Sequence, residues 1–280
     1  MFRSIFAKGI ASALILSLAA PAALGFGIGL QPTTVEMEME PGDRQRQVIN
    51  IANVHQEKTI SLTLGLADWA LDENGQIELT PPGETPASSA DWVRFSPAFV
   101  TLKPGQAQQI IVDIAAPVRL EQSGDHRFAL LASTVLPEER AGGSGVWKKY
   151  QIASLFYLTT GDAVSTPEIT SSGLTVTPEG QTMIGLRIEN EGNAHARLEG
   201  SIRITSDDAE PQSITIANLV VLDQGARNYH VPLAGPLPEN SEIEVRLENI
   251  FAPQAADQRE PLPIYSVATP TQQASLEPTQ

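Results

Sequence analysis

The chain has 280 residues, with 18 basic against 33 acidic side chains, a formal net charge of −15 at pH 7 and no cysteine. Binding to nucleic acid needs a concentration of Lys and Arg, so the acidic balance argues against that class of partner. The lack of cysteine excludes structural disulfides, cysteine-zinc sites and thiol catalysis, so burial alone has to hold the fold together.

The first 25 residues have the pattern of a secretory signal peptide. Arg3 and Lys8 precede an apolar, small-residue stretch from Ile10 to Leu24, and Ala23-Leu24-Gly25 provides a small-x-small cleavage site. A membrane anchor needs a longer apolar span, about 20 residues. The sequence therefore predicts export through a cleaved signal peptide and no membrane insertion of the mature chain.

Apolar residues alternate with polar ones or glycine through most of the chain. The run from Ile60 to Leu66 is an example, and Ile184 to Ile188 and Ile243 to Leu247 repeat it. This period is typical of strands with one face on a core. Further strands are predicted at 48–53, 108–114, 126–134, 150–159, 198–204, 212–216 and 228–233. Many short strands between Gly- and Pro-rich turns predict an all-β fold of the sandwich type.

The stretch VRFSPAFVTLKPGQAQQIIVDI, residues 93–114, consists of two extended runs joined by Lys103-Pro104-Gly105. Pro suits the second position of a tight turn and Gly the next, which predicts a hairpin. The expected core residues of this hairpin are Val93, Phe95, Phe99, Val100, Leu102, Ile110, Val112 and Ile114. Residues 81–91 are expected to form a surface loop before it.

The two halves of the chain repeat one strand-turn-strand pattern. Around Pro41 and around Pro178, apolar residues stand four and two positions before and eight and ten after, and an asparagine follows at twelve. The repeat predicts two immunoglobulin-like β-sandwich domains joined by a short linker. The predicted divisions are a signal peptide (1–25), an N-terminal domain (26–160), a C-terminal domain (161–265) and a disordered tail (266–280), which is rich in Thr, Gln, Pro and Ser.

No catalytic or metal-binding constellation is visible. The four histidines, His55, His126, His195 and His230, are isolated, and no HExxH, G-x-S-x-G or phosphate-binding motif occurs. In Asp125-His126-Arg127, adjacent side chains of a strand point to opposite faces and cannot form a triad. Carboxylate pairs lack the ordered spacing of a calcium loop. The sequence predicts neither an enzyme nor a cofactor or metal site.

The first half resembles the periplasmic chaperones of chaperone-usher pilus assembly, especially the branch serving archaic-type pili. The matching stretches are LQPTTVEMEMEPGDRQRQVINIAN, VRFSPAFVTLKPGQAQQIIVDI, SGDHRFALLAST and YQIASLFYLTT. The likeness covers residues 28–160 and rests on the order and spacing of these short motifs. The second half matches more loosely, in IENEGNAHARLEGSIRI.

The resemblance implies a periplasmic protein that lends the last strand of its first domain to an incomplete pilin or adhesin subunit, with an outer-membrane usher as a further partner. By position that strand is 146–158. The implied subunit-binding residues are Trp147, Lys149, Tyr150 and Ile152. The alternative is an ordinary sandwich strand after residue 150, with Ile152, Phe156 and Leu158 in the domain's own core.

The chain departs from the family at the cleft between the domains. Family members usually anchor the C-terminal carboxylate of the subunit with an Arg and a Lys, and the matching positions here are Thr34 and Ser154. Neither is basic, so the anchor is absent or rebuilt, with Arg127 or Arg187 as candidate substitutes. The alternative function is a structural or accessory component of a surface assembly. A free edge strand would favour the chaperone, which needs pairing capacity.

Overall fold

The computed structural model describes residues 27–135, 149–207, 209–238, 240–251 and 260–268. Throughout these ranges the regular structure is β-strand, apart from one short 3₁₀ turn at Ala90–Trp92. The same ranges contain no helix long and apolar enough to cross a membrane. The predicted signal peptide (1–25) and the start of the predicted donor strand (146–148) lie outside the described residues.

The first sandwich packs two sheets over one core. Its strands are β1 (Ile28–Gln31), β2 (Thr34–Met39), β3 (Arg44–Asn53), β4 (Ile60–Leu71), β5 (Ile77–Thr80), β6 (Val93–Ser96), β7 (Phe99–Leu102), β8 (Ala107–Ala115), β9 (Gly124–Val135) and β10 (Lys149–Thr160). One sheet has the order β1-β3-β8-β6 and the other β2-β10-β9-β4-β5, with β7 also paired to β4. Alternate apolar residues of both sheets meet between them, and Phe128 stacks on Phe156 with ring centroids 4.2 Å apart.

The second sandwich follows after residues 161–166. Its strands are β11 (Pro167–Val176), β12 (Thr182–Asn190), β13 (Ala196–Thr205), β14 (Gln212–Val221), β15 (Gly225–Pro232), β16 (Glu242–Asn249), β17 (Glu260–Pro261) and β18 (Tyr265–Val267). The sheets are β11-β12-β15 and β14-β13-β16-β17, with β18 also on β16. A separate apolar core lies between them. The predicted fold of two all-β sandwiches is confirmed.

The N-terminal strand of the first sandwich changes sheets partway along its length. β1 pairs antiparallel with β3 in one sheet, whereas β2 pairs parallel with β10 in the other. The crossing occurs at Pro32-Thr33, between the two strands. The parallel ladder begins at Thr34, which lies opposite Leu155. The position at which β2 starts therefore determines how much of β10 pairs with it.

The predicted hairpin over 93–114 is wrong in its pairing. The turn forms, with the Gln106 N–H donating to the Lys103 carbonyl at 3.0 Å. However, β7 pairs with β4 in one sheet, whereas β8 pairs with β3 and β6 in the other, so the turn joins the sheets. Phe99 is 59 % exposed. Because side chains alternate along β7, burying Val100 and Leu102 turns Phe99 outward.

The asparagines that end the two repeated units have the same structural role. Asn53 and Asn190 are both buried. The Asn53 Oδ1 accepts the N–H of His55 at 2.9 Å, and the Asn190 Oδ1 accepts the N–H of Gly192 at 3.1 Å. Each side chain therefore closes a turn two residues further on, as asparagine commonly does after a strand.

The predicted tail begins too early in the chain. Ser266 and Val267 belong to β18, where Val267 pairs with Ile243 and is buried in the second core. One apolar residue at the end of a short strand gives no period to detect, so composition alone placed it in the tail. Residues 269–280 lie outside the described residues.

Candidate functional site

The first half of β10 has an open edge. β10 pairs with β9 along its whole length, from Lys149 opposite Val135 to Thr160 opposite Gly124. On its other side it pairs with β2 only from Leu155 onward, and the Leu155 N–H donates to the Thr33 carbonyl at 2.9 Å. Among the described residues, no strand pairs with 149–153 on that side.

Strand geometry identifies the backbone groups that face the open side. The N–H and C=O of one residue point to the same side of a strand, and the side alternates from residue to residue. Because the Leu155 N–H points toward β2, the N–H and C=O of Gln151 and Ala153 point to the open edge. Those of Ile152 and Ser154 point to β9. By the same alternation the backbone groups of Lys149 also point to the open edge, which therefore offers three residues for pairing with another strand.

The side chains of β10 divide between two faces. Phe156 and Leu158 are fully buried in the first core, and Ile152 packs against it. The odd-numbered side chains face away from that core, and Ala153, Leu155 and Tyr157 among them join a second apolar group, called here the junction cluster. Its buried members are Trp69, Ala129, Tyr157 and Leu222, with Ala70, Leu71, Leu131, Ala153, Leu155 and Val220 partly buried around them. Residues from both domains form this cluster, so the outer face of β10 looks toward the second domain.

The predicted subunit-binding residues fall in different places. Trp147 lies outside the described residues. Lys149 is exposed at the start of β10, whereas Tyr150 and Ile152 are partly buried. Alternation places the side chains of Tyr150 and Ile152 on the side of the domain's own core. The alternative prediction, that Phe156 and Leu158 lie in that core, is confirmed.

Thr34 and Ser154 lie at nearly the same level on neighbouring strands, but their side chains are on opposite faces of the sheet. Thr34 is exposed on the same face as its ladder partner Leu155. Ser154 is fully buried, and its Oγ donates to the Pro32 carbonyl at 2.7 Å. The two side chains therefore do not converge on one ligand group.

Three arginines near the cleft, among them both candidate substitutes, have carboxylate partners. Arg127 pairs with Asp223 across the domain boundary, and its side chain is 9 % exposed. Arg187 pairs with Glu73, also across the boundary, at 3.0 Å. A third arginine, Arg197, pairs with Glu36. The carboxylate of a bound pilin would have to displace a resident carboxylate to use any of these three.

A buried Asp125–His195 pair joins the two domains. The Asp125 Oδ2 accepts the His195 backbone N–H at 2.7 Å and lies 2.6 Å from His195 Nδ1. Thr159 donates its hydroxyl to the other carboxylate oxygen at 2.8 Å. The His195 ring stacks on Phe251, with centroids 3.8 Å apart, and also contacts Tyr157 at 4.3 Å. Its Nε2 lies 3.8 Å from the Glu36 carboxylate.

The surroundings favour the charged forms of both partners. Burial alone would lower the pKa of His195, but the hydrogen bond to Asp125 and the nearby Glu36 carboxylate outweigh it and raise the pKa above 6.5. Burial would likewise raise the pKa of Asp125, but its bonds with His195 and Thr159 hold it below 3.8. The pair is therefore an ion pair with a hydrogen bond, sealed from solvent between the sandwiches.

We expect a pH optimum for stability from this pair. The contribution of His195, whose pKa is raised, is complete below pH 6.5 and lost as the pH rises through its folded-state pKa. The contribution of Asp125, whose pKa is lowered, is complete above pH 3.8 and lost as the pH falls through its folded-state pKa.

Urea unfolding should give a free energy of unfolding that declines above pH 6.5. The His195→Gln variant should lose this decline, whereas His230→Gln, at an exposed histidine, should keep it. An equal decline in all three proteins would contradict the assignment.

Sequence reasoning missed this pair. Strand alternation correctly separates His126 from its neighbours: His126 packs on Trp92 at 4.5 Å, whereas Asp125 and Arg127 both reach the second domain. Two charged residues on one face of an otherwise apolar strand were the available signal. Their partners could not be found from sequence, because His195 lies 70 residues further along the chain.

The geometry of the Asp125–His195 pair fits a structural role. His195 is completely buried, and its two ring nitrogens lie near the carboxylates of Asp125 and Glu36. No serine or cysteine nucleophile is bonded to it in the described part of the chain. Within the same residues, no three histidine or carboxylate side chains gather as a metal site. The pair connects the two domains beside Thr159, at the other end of β10 from its open edge.

Comparisons with known proteins gave matches only among solved structures. No protein-family model matches it, and no curated protein matches it either. The solved structure of the YadV chaperone has 10% identity and a TM-score of 0.45, covering 86% of this chain and 99% of its own. The CupB2 chaperone of Pseudomonas aeruginosa has 9% identity and a TM-score of 0.43, covering 85% and 100%. The chaperone-tip adhesion pre-assembly complex of CsuC and CsuE, from archaic Csu pili of Acinetobacter baumannii, has 11% identity and a TM-score of 0.42, covering 86% and 97%.

Proposed function

We propose that the chain is a periplasmic chaperone that binds an exported pilin or adhesin subunit by β-strand addition, without catalysis. The observation that supports this most directly is the open edge of β10 at 149–153. A self-contained sandwich commonly blocks such an edge with a bulge, a proline or another segment. Here no strand of the described ranges pairs with the edge, which ends where β2 begins.

A strand added at the open edge would lie in line with β2. An added strand would pair with the backbone of Gln151 and Ala153 and would end near Thr33, where β2 takes over the ladder. Side chains on one face of the added strand would lie beside the partly buried Ala153 and Leu155. This is strand addition, in which main-chain bonds provide affinity and alternate side chains provide specificity.

Recognition of the bound pilin or adhesin would then depend on the backbone and on apolar contact. The nearby arginines are occupied by Asp223, Glu73 and Glu36, and Thr34 and Ser154 cannot bind a carboxylate as a basic pair would. The resemblance of residues 28–160 to pilus chaperones supports a pilin or adhesin as the partner class, with an outer-membrane usher as the next acceptor. Without a basic pair, the free carboxyl terminus of the pilin is not the main anchor.

A proline substitution at the open edge tests the proposal. The Gln151 N–H faces away from β9, so Gln151→Pro removes a donor that the added strand needs and no donor of the existing ladder. Co-expression with exported pilins and adhesins of the same genome should give a one-to-one complex with the native chain. Gln151→Pro should weaken that complex about tenfold or more.

Gln151→Thr is the matched control. Both variants lose the side-chain bond from Gln151 to the Ser133 hydroxyl, but only the proline variant loses the edge N–H. The threonine variant should therefore keep the complex, and circular dichroism should show both variants folded. A complex that survives Gln151→Pro would rule out pairing at this edge. No complex with any exported pilin or adhesin would favour an accessory component of a surface assembly.

A further inference from the structure

The outer face of the β1-β3-β8-β6 sheet carries a groove that strand addition at β10 does not use. Its open volume is about 810 Å³. It lies over the ends of β3, β8 and β6, beside the 3₁₀ turn. The charged and aromatic lining residues are Arg44, Arg46, Asp91, Trp92, Arg94 and Asp113.

The three arginine side chains of this groove differ in their bonding partners. Arg46, Asp113 and Arg94 lie side by side across three neighbouring strands. Arg46 binds both oxygens of Asp113, at 2.6 and 3.0 Å. Arg94 instead donates to the carbonyl of Val93 at 2.8 Å, although it also lies opposite Asp113. Arg44 is exposed, and its side chain has no hydrogen bond or ion pair within the described ranges. Two guanidinium groups therefore have no carboxylate partner.

The groove is cationic on a strongly acidic protein. Three arginines face two carboxylates, Asp91 and Asp113, whereas the whole chain has a net charge of −15. By contrast, Arg127, Arg187 and Arg197, which lie near the cleft, each pair with a carboxylate. Guanidinium groups bind carboxylates through two parallel hydrogen bonds, which gives both strength and direction. The local charge and its geometry suit an anionic ligand with carboxylate groups.

An aromatic wall adds an apolar contact to the same groove. Trp92 is partly buried and packs against the first core, and its ring is backed by His126 at 4.5 Å. A ring held in this way offers a rigid surface to an apolar side chain. In addition, β6 is the last strand of its sheet, so an extended segment can lie along it.

We propose that this groove binds an acidic segment of a partner polypeptide. Its carboxylates would bind Arg44 and Arg94, and an apolar side chain would contact Trp92. Nucleic acid is a poor alternative, because the protein's overall negative charge repels a polyphosphate. The groove and the open edge of β10 belong to opposite sheets of the first sandwich, so both can be occupied at once. The inference does not rest on strand addition.

Fluorescence anisotropy with a labelled peptide tests this inference. The probe is a synthetic peptide in which Glu and Asp alternate with Leu and Phe, and its companion has Gln and Asn at the acidic positions. The native chain should bind the acidic probe, more weakly as NaCl is raised, and should not bind the companion. The Arg44→Glu/Arg94→Glu variant should weaken binding of the acidic probe about tenfold or more.

Arg203→Glu is the matched control, because Arg203 is exposed on β13 in the other domain. It changes one surface charge in the same direction, and its affinity should stay close to that of the native chain. The inference is overturned if the native chain does not bind the acidic probe, if the companion binds equally, or if the double variant binds like Arg203→Glu. Self-association that the double variant abolishes in sedimentation would also overturn it, because a second copy of the chain would then be the occupant.

Discussion

Replacing Asp125 by alanine is expected to lower the free energy of unfolding by about 3–5 kcal/mol, the usual effect of removing one partner of a buried ion pair. The change leaves His195 without its bonded carboxylate, in a site from which solvent is excluded. It also removes the acceptor of the Thr159 hydroxyl. Urea unfolding at pH 6, followed by tryptophan fluorescence and circular dichroism, measures the loss.

Asp113→Ala is the control for this prediction. Asp113 also pairs with an arginine, but both partners are exposed, so its loss is expected to cost about 0–1 kcal/mol. Because Asp125 joins the two domains, its loss should also make the second sandwich unfold separately from the first. A single transition with a loss no larger than that of Asp113→Ala would contradict the role given to the Asp125–His195 pair.

Replacing Trp69 by alanine is expected to cost about 3–5 kcal/mol, the usual range for a buried large aromatic side chain. Trp69 is 1% exposed, meets the Tyr157 ring edge-on at 4.8 Å, and donates its indole N–H to the Phe128 carbonyl at 3.1 Å. Truncation therefore leaves a cavity in the junction cluster and removes the indole hydrogen bond to the Phe128 carbonyl. Equilibrium unfolding measures the effect.

Trp69→Phe separates the contribution of the buried ring from that of the indole hydrogen bond. It keeps an aromatic ring beside Tyr157 but removes the indole donor, so its cost should be clearly smaller than that of Trp69→Ala. If both variants were as stable as the native chain, the junction cluster would not contribute to stability. Equal large losses would instead assign the effect to the hydrogen bond with Phe128.

Local patterns predicted much of the fold. The alternation in Ile60–Leu66, Ile184–Ile188 and Ile243–Leu247 corresponds to β4, β12 and β16, because burying one face of a strand imposes a period of two. The repeated asparagines were found in the same way, at Asn53 and Asn190, since each closes a turn after its strand. Such features depend only on residues near in sequence.

Pairing between strands was harder to predict. A period of two shows which face of a strand is buried but not which strand lies beside it, so β7 and β8 were assigned to one hairpin although they belong to different sheets. The Asp125–His195 pair was missed for the same reason, since it joins residues on different domains. The resemblance to pilus chaperones indicated β10 as the functional strand. The open edge of β10, however, depends on where β2 starts to pair with it, at Thr34.

Residue-level hydrogen exchange on β10 tests the central claim most directly. In the free protein, the amides of Gln151 and Ala153 should exchange quickly and those of Ile152 and Ser154, which face β9, slowly. In a complex with a co-purified pilin or adhesin, Gln151 and Ala153 should become protected while Ile152 and Ser154 change little. Slow exchange of Gln151 and Ala153 in the free protein, or no added protection in the complex, would contradict strand addition at this edge.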